Sequence, residues 1–256
     1  MSDEILIAEN GGILTLRINR PDRRNALTAA MYTAIADALE QADADASIRV
    51  IFITGTHDCF TSGNDLQDFL QNPPTGEQSP VMRFLHTLVA LKKPIVAAVN
   101  GPAVGVGTTL LLHCDLIYAA TSSVFQLPFV NLGLCPEAAS SYLLPALVGL
   151  PKAAEILLLG EPFDAETAFN YGMINAVFAD GECRDRAYEK AEKLAAQPAA
   201  GIRLSKYLLR KVNAEQVRAV IAEEAGYFKD MLQSPEAKEA MSAFLEKRKA
   251  DFSRFD

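Results

Sequence analysis

The sequence predicts an α/β fold with a helical C-terminal region. Three observations carry that expectation. Residues 13–19 alternate apolar and polar, as a half-buried strand does; buried-looking strands then alternate with helical patterns through residue 120; and after Pro151 the pattern is mostly helical. A chain of 256 residues, 50% hydrophobic and 22% charged, is long enough to bury a large core. That composition excludes a disordered chain, a collagen-like repeat and a disulfide miniprotein.

Taken in order, Leu14, Leu16 and Ile18 share one face of the first clear strand, and the turn 9–12 pairs it with residues 5–8. Leu27, Met31, Ile35 and Leu39 recur every four residues and predict an amphipathic helix over 28–44. Residues 50–54 read as a buried strand. The stretch 71–80, with three prolines and one glycine, reads as a flexible loop and a candidate lid. A helix over 81–91 leads into a strand at 95–99, a glycine-rich loop, a helix over 108–114 and a strand at 115–120. Beyond Pro151, Gly160 is expected to end one helix, and Asp164 to start another that stops at Gly172. A strand at 174–178 precedes three further helices, the last capped by Ser234 and Pro235. The shift to all-helical patterning divides the chain into a core over 1–195 and a helical region over 196–256.

With 24 Lys and Arg against 32 Asp and Glu, the net charge of −8 provides no basic field for nucleic acid or an anionic membrane. Cys59, Cys114, Cys135 and Cys183 lack CxxC spacing, and the first residues lack the basic flank and apolar stretch of a signal peptide. The apolar region 95–112 is broken by Asn100, Pro102 and three glycines, whereas a membrane span wants about 20 unbroken apolar residues. A cytoplasmic location is expected.

Two small-residue loops each follow a predicted strand. The first, 60–66, contains Ser62, Gly63, Asn64, Asp65 and Leu66; the second, 100–110, contains Gly105, Val106 and Gly107. The second matches neither GxGxxG with a distant acid nor a P-loop ending in GK[ST]. Together, the loops could each present one backbone NH to a shared oxygen, as in an oxyanion hole; singly, each reads as a packed turn. There is no GxSxG elbow, and His57, His86 and His113 share no metal spacing with acids or cysteines. No metal site is expected, and His113, in an apolar helix, reads as a satisfied buried histidine. Glu137 stands out among the acids. It follows Pro136 amid apolar and small residues at a predicted helix start, where desolvation would make it a base near neutral pH. The competing reading is a first-turn glutamate favoured by the helix dipole.

These segments, with residues 18–27, 92–120, 128–145, 163–178 and 243–252, resemble in order and over nearly the whole chain the enoyl-CoA hydratase/isomerase, or crotonase, family. The resemblance implies a spiral of β-β-α turns with a helical C-terminal region that assembles as homotrimers or dimers of trimers. It implies an acyl-CoA substrate whose thioester oxygen is held by the amides of Asn64 and Val106, with no separate cofactor because CoA is part of the substrate. It assigns Arg24 and Ala26 to the nucleotide and pantetheine side, Ser62–Leu66 to the adenine and thioester end, and Phe244 with Lys247 to CoA bound by a neighbouring subunit. Asn64 departs from the alanine of many relatives, but the function needs only its backbone NH.

The acids separate reactions within the family. Hydratases resemble one another in two glutamates, whose positions, counted from Cys114 and Asp115, fall on Thr109 and Phe129. Neither side chain can serve as that acid or base. The segments around Asn64 and Glu137 are similar instead to 3-enoyl-CoA to 2-enoyl-CoA isomerases of the peroxisomal type, although the chain ends in SRFD without a peroxisomal signal. The resemblance therefore implies a one-base isomerase with Glu137 as the base, acting in unsaturated acyl-CoA degradation. The alternatives are another crotonase reaction (hydration, ring acyl-CoA isomerisation or thioester hydrolysis) and a non-catalytic CoA-binding scaffold.

Overall fold

A computed structural model describes residues 4–71, 76 and 78–255. Half of the expected lid at 71–80, residues 72–75 and 77, therefore lies outside the described residues. The strands and helices are β1 (Ile5–Asn10), β2 (Ile13–Ile18), α1 (Ala29–Ala44), β3 (Val50–Thr54), α2 (Leu66–Gln71), α3 (Pro80–Ala90), β4 (Ile95–Val99), β5 (Pro102–Val104), α4 (Val106–Thr109), β6 (Leu116–Ala120) and β7 (Val124–Gln126). They continue as α5 (Ser140–Val148), α6 (Leu150–Leu159), β8 (Phe163–Asp164), α7 (Ala165–Asn170), β9 (Ala176–Phe178), α8 (Cys183–Ala196), α9 (Ala199–Arg210), α10 (Ala214–Met231) and α11 (Pro235–Leu245).

The larger sheet runs β1-β2-β3-β4-β6-β9. Its first pair is an antiparallel hairpin and the rest are parallel. The hairpin turn is Gly11-Gly12, both at positive φ, the geometry that matches strand twist and that side chains resist. A second sheet runs β5-β7-β8. Its strands, of two or three residues each, are too short to show a period in the sequence.

Caps set several boundaries where expected. Thr28, Asp164 and Ser234 accept from the backbone three residues on, and Gly160 ends α6 in the left-handed region. Two expectations need correction. The helix placed at 108–114 begins earlier, as α4, and tightens into a 3-10 turn over Leu110–His113. The helices after β9 number four among the described residues, not three, because the break at Gln197 and Pro198 separates α8 from α9.

The buried β strands are covered on both faces. Leu16, Ile51, Ile53, Ala97 and Val99 belong to the main core with α1 and α3. Val50, Phe52, Val96, Ala98 and Tyr118 pack under α8. Cys183, Ala187, Ala191 and Ala195 repeat every four residues along that helix, and all are buried, so α8 lies close against the sheet. Among the described residues no helix is long and apolar enough to cross a membrane.

Candidate active site

The two small-residue loops leave the C-terminal ends of β3 and β4, which are paired neighbours. Crevices in open α/β sheets form at these strand ends. Buried Asn25 knits the first loop: its Nδ2 donates to Cys59 O at 2.7 Å and Thr56 Oγ1 at 3.1 Å, while its Oδ1 accepts from Arg20 N at 2.8 Å. The second loop then lies directly on the first. Thr61 bridges Ala103, and Val104 NH donates to Thr61 O at 3.0 Å. This contact depends on missing side chains. A Cβ on Gly63, which has φ +92°, would sit 2.9 Å from Val104 O, and one on Gly107 would sit 2.5 Å from Thr61 Cγ2.

The loop hydrogen bonds leave the Asn64 and Val106 amides over, together with that of Gly107. Gly63 NH donates to Thr61 Oγ1 and Asp65 NH to Leu27 O; Gly105 NH donates to Gln126 O and Thr108 NH to Gly105 O. Among the described residues the Asn64 and Val106 amides between them take no part in these loop bonds. Val106 opens α4, so its NH is one of the donors that a helix start leaves unpaired. The Asn64 side chain is held separately: Tyr32 hydroxyl, from α1, donates to its Oδ1 at 2.5 Å. Tyr32 is fully buried, and burial, reinforced by the charge of Glu137, raises its pKa, so it stays a neutral donor.

Glu137 lies three residues before α5, in a turn where Ala138 and Ala139 both have φ 58°. It is therefore not a first-turn glutamate, which removes the helix-dipole reading in its simple form. The carboxyl is buried, and Thr109 Oγ1 donates to its Oε1 at 3.1 Å. Burial pushes its pKa up to about 7, the Thr109 bond pulls it down and the charge of Glu224 raises it. A carboxyl with that value exchanges a proton readily at neutral pH. Beside it opens a cavity of about 230 Å³ whose walls include Phe69, Val81, Met82, Leu85, Ile221 and Phe228, with His86 and Lys229 also lining it. At the other position a hydratase would use, Phe129 is buried in the core.

The other expected site residues fall into two groups. Arg24, Ala26 and Ser62–Leu66 come together: Ser62 NH donates to Arg24 O, and Leu27 NH donates to Gly63 O. Arg24 is exposed at φ 51°, free of the core. The Asp65 carboxylate is committed to Arg20 at 2.6 Å and to the first turn of α2. Phe244 and Lys247 stand apart from that group, at the end of α11, and Phe244 is 63% exposed. Among the described residues no three His, Cys, Asp or Glu side chains are grouped to hold a metal ion.

Sequence reasoning passed over Tyr32, Asn25 and Glu224. Glu224 carried a signal, since it continues the stripe of Val217, Val220, Ile221 and Phe228 that α10 buries. His113 is the satisfied buried histidine expected. Its Nε2 donates to Ala138 O at 2.8 Å, and burial pulls its pKa down to about 4, leaving the ring neutral.

A sequence model described as enoyl-CoA hydratase/isomerase matches residues 8–254. The chain is 37% identical over 253 residues to rat "Enoyl-CoA delta isomerase 2", covering 96% of this chain but 64% of that protein. It thus spans a little under two thirds of that relative. It is 36% identical over 261 residues to "1,2-epoxyphenylacetyl-CoA isomerase" of Escherichia coli K12, covering 99% of both chains. Among solved structures, that of Pseudomonas aeruginosa OdaA superposes with a TM-score of 0.94 at 48% identity, over 95% of this chain and 99% of that one.

Proposed function

The chain belongs to the enoyl-CoA hydratase/isomerase family, and on that premise we propose that it is an acyl-CoA isomerase that moves the double bond of a 3-enoyl-CoA to the 2-trans position with one base. The observation that carries this reading is the buried Glu137 carboxyl, with a pKa near 7, beside an apolar cavity and a pair of loops that include two unspent amides.

In the proposed reaction, the Glu137 carboxylate takes a proton from C2 of the acyl chain. The electron pair spreads over C2–C4 and the thioester oxygen, where the Asn64 and Val106 amides hold the negative charge. The new carboxylic acid then gives its proton to C4, so the base is restored and no cofactor is consumed. One such donor is typically worth about 3 kcal/mol, and a positioned base ~100- to 10,000-fold in rate. The apolar walls keep water from the dienolate. At the two hydratase positions stand Phe129 and Thr109, and the Thr109 hydroxyl is engaged with Glu137. Neither is equipped to deliver water across the double bond.

For CoA, the proposed cradle is the backbone of Ser62–Leu66 with Ala26 and the exposed Arg24, completed by Phe244 and Lys247 from a neighbouring copy. A homotrimer or dimer of trimers fits this arrangement. Leu209 and Val212, more than 80% exposed at the end of α9 and just beyond it, support burial of that face in an assembly.

The discriminating experiment offers 3-hexenoyl-CoA and crotonyl-CoA separately to the purified protein and follows the conjugated enoyl thioester by absorbance. The expected result is conversion of the first with little hydration of the second. Rapid hydration of crotonyl-CoA would overturn the one-base reading, and inertness on both would favour a ring-bearing acyl-CoA, the class named in the E. coli relative, or a scaffold. A second expectation concerns pH. The Thr109 bond stabilises the ionised base, so the isosteric Thr109→Val should move the acid limb of kcat to higher pH. A limb that stays in place would mean that the bond does not set the base.

A further inference from the structure

The turn that carries Glu137 does not support itself. Ala138 and Ala139 are two successive residues in the left-handed region, each with φ 58°, a conformation that side chains resist and that persists only where the surroundings impose it. The imposed contacts come from far along the chain. The Glu224 carboxylate, on α10, accepts from Ala139 NH at 2.6 Å, from Ser141 NH at 3.0 Å and from Ser141 Oγ at 2.5 Å. These amides belong to the start of α5, where no local side chain caps the helix, so a carboxylate from another helix takes the place of the missing cap. Glu224 is 6% exposed, and burying a carboxylate costs free energy unless donors surround it. Here three do. On the other side His113 Nε2 donates to Ala138 O, clamping the same turn.

We propose that Glu224 is a positioning residue for the base: from α10 it fixes the Glu137–Ser141 turn so that the Glu137 carboxyl stays beside Thr109, facing the cavity. The proposal rests on the isomerase reading for its activity test. Its second consequence is electrostatic. The groups that face Glu137 are Tyr32 on α1, Thr109 on α4, Cys135 in its own loop, and Glu224 on α10, while His86 and Lys229 line the same cavity. Glu224 is the one carboxylate among them, and its negative charge holds the Glu137 proton on. A merely structural prop would leave that value alone.

The test is Glu224→Gln, which keeps the shape and removes the charge and one acceptor. The expected result is a kcat on 3-hexenoyl-CoA lower by about 10- to 100-fold, the scale of a misplaced catalytic group, with KM little changed and the acid limb moved to lower pH. In the Glu137→Gln background the same change should cost nothing more, since Glu224 acts through Glu137. An unchanged kcat and an unmoved acid limb would overturn the proposal. If Glu224→Gln does not fold, Ser141→Ala, which removes one donor to the carboxylate, decides: a several-fold lower kcat supports the proposal, and wild-type kcat overturns it. Titrating the Glu137 carboxyl by carbon NMR needs no turnover, and a lower pKa in Glu224→Gln is expected. A wild-type protein inert on 3-enoyl-CoA would therefore refute the isomerase reading alone, while this titration still judges the role of Glu224.

Discussion

Glu137→Gln is expected to lower kcat on 3-hexenoyl-CoA by at least ~100-fold while making the folded chain more stable at alkaline pH. Both effects follow from one fact, a carboxyl whose pKa burial raises from 4.5 to about 7. In the unfolded chain this group ionises near 4.5; in the folded chain it keeps its proton up to about 7. Between those values the folded state binds the extra proton, so stability falls as pH rises through the window, and the full penalty stands above it. The shift corresponds to about 3 kcal/mol, as an order of magnitude. Glutamine carries no charge to desolvate and keeps an oxygen for the Thr109 hydroxyl. Denaturant unfolding at pH 8 should therefore favour the variant, and at pH 4 the two proteins should match. An advantage that is the same at both pH values would show that Glu137 is not desolvated as the structure has it, and undiminished turnover would remove it from the mechanism.

The second large effect is expected from Gly107→Ala. A Cβ there meets Thr61 Cγ2 at 2.5 Å and Thr61 O at 3.1 Å, so the loop before α4 must move away from the loop that carries Asn64. That motion separates the two amides proposed to share one oxygen, and loss of one such donor typically costs ~100- to 1,000-fold in kcat. The closer clash is with a methyl group, which points to a suppressor. Thr61→Ser removes Cγ2 but keeps the hydroxyl that bonds Asn25 O and Gly63 NH, so the double variant should recover part of the lost rate. Steady-state assays of the three proteins test this. Full activity in Gly107→Ala would mean that the loops need not touch, and no recovery in the double variant would mean that the clash lies with the Thr61 carbonyl.

What could be read in advance was whatever repeats or caps over a few residues. The four-residue spacing of Met31, Ile35 and Leu39, the alternation of Leu14, Leu16 and Ile18, and the capping residues Asp164 and Ser234 located their elements to within one or two residues. The two small-residue loops and Glu137 were legible for the same reason, since each carries its signal in neighbouring residues. The strands β5, β7 and β8 were not, because two or three residues hold no period and pair only when the chain has already folded.

By itself, then, the sequence determined the order of the longer elements, the α/β class, the family and the residues that offer an amide or a carboxyl. Tertiary structure alone decided how those groups behave. The Glu137 carboxyl keeps its proton up to about 7 only because distant segments exclude water from it, and Ala139 in its turn donates to Glu224, 85 residues away. The orientation of Asn64 depends on Tyr32, and the meeting of the two loops depends on β3 and β4 being neighbours. Propensity and capping act over one helical turn and so are written locally. Desolvation and charge coupling act through space, between residues that only the folded chain brings together.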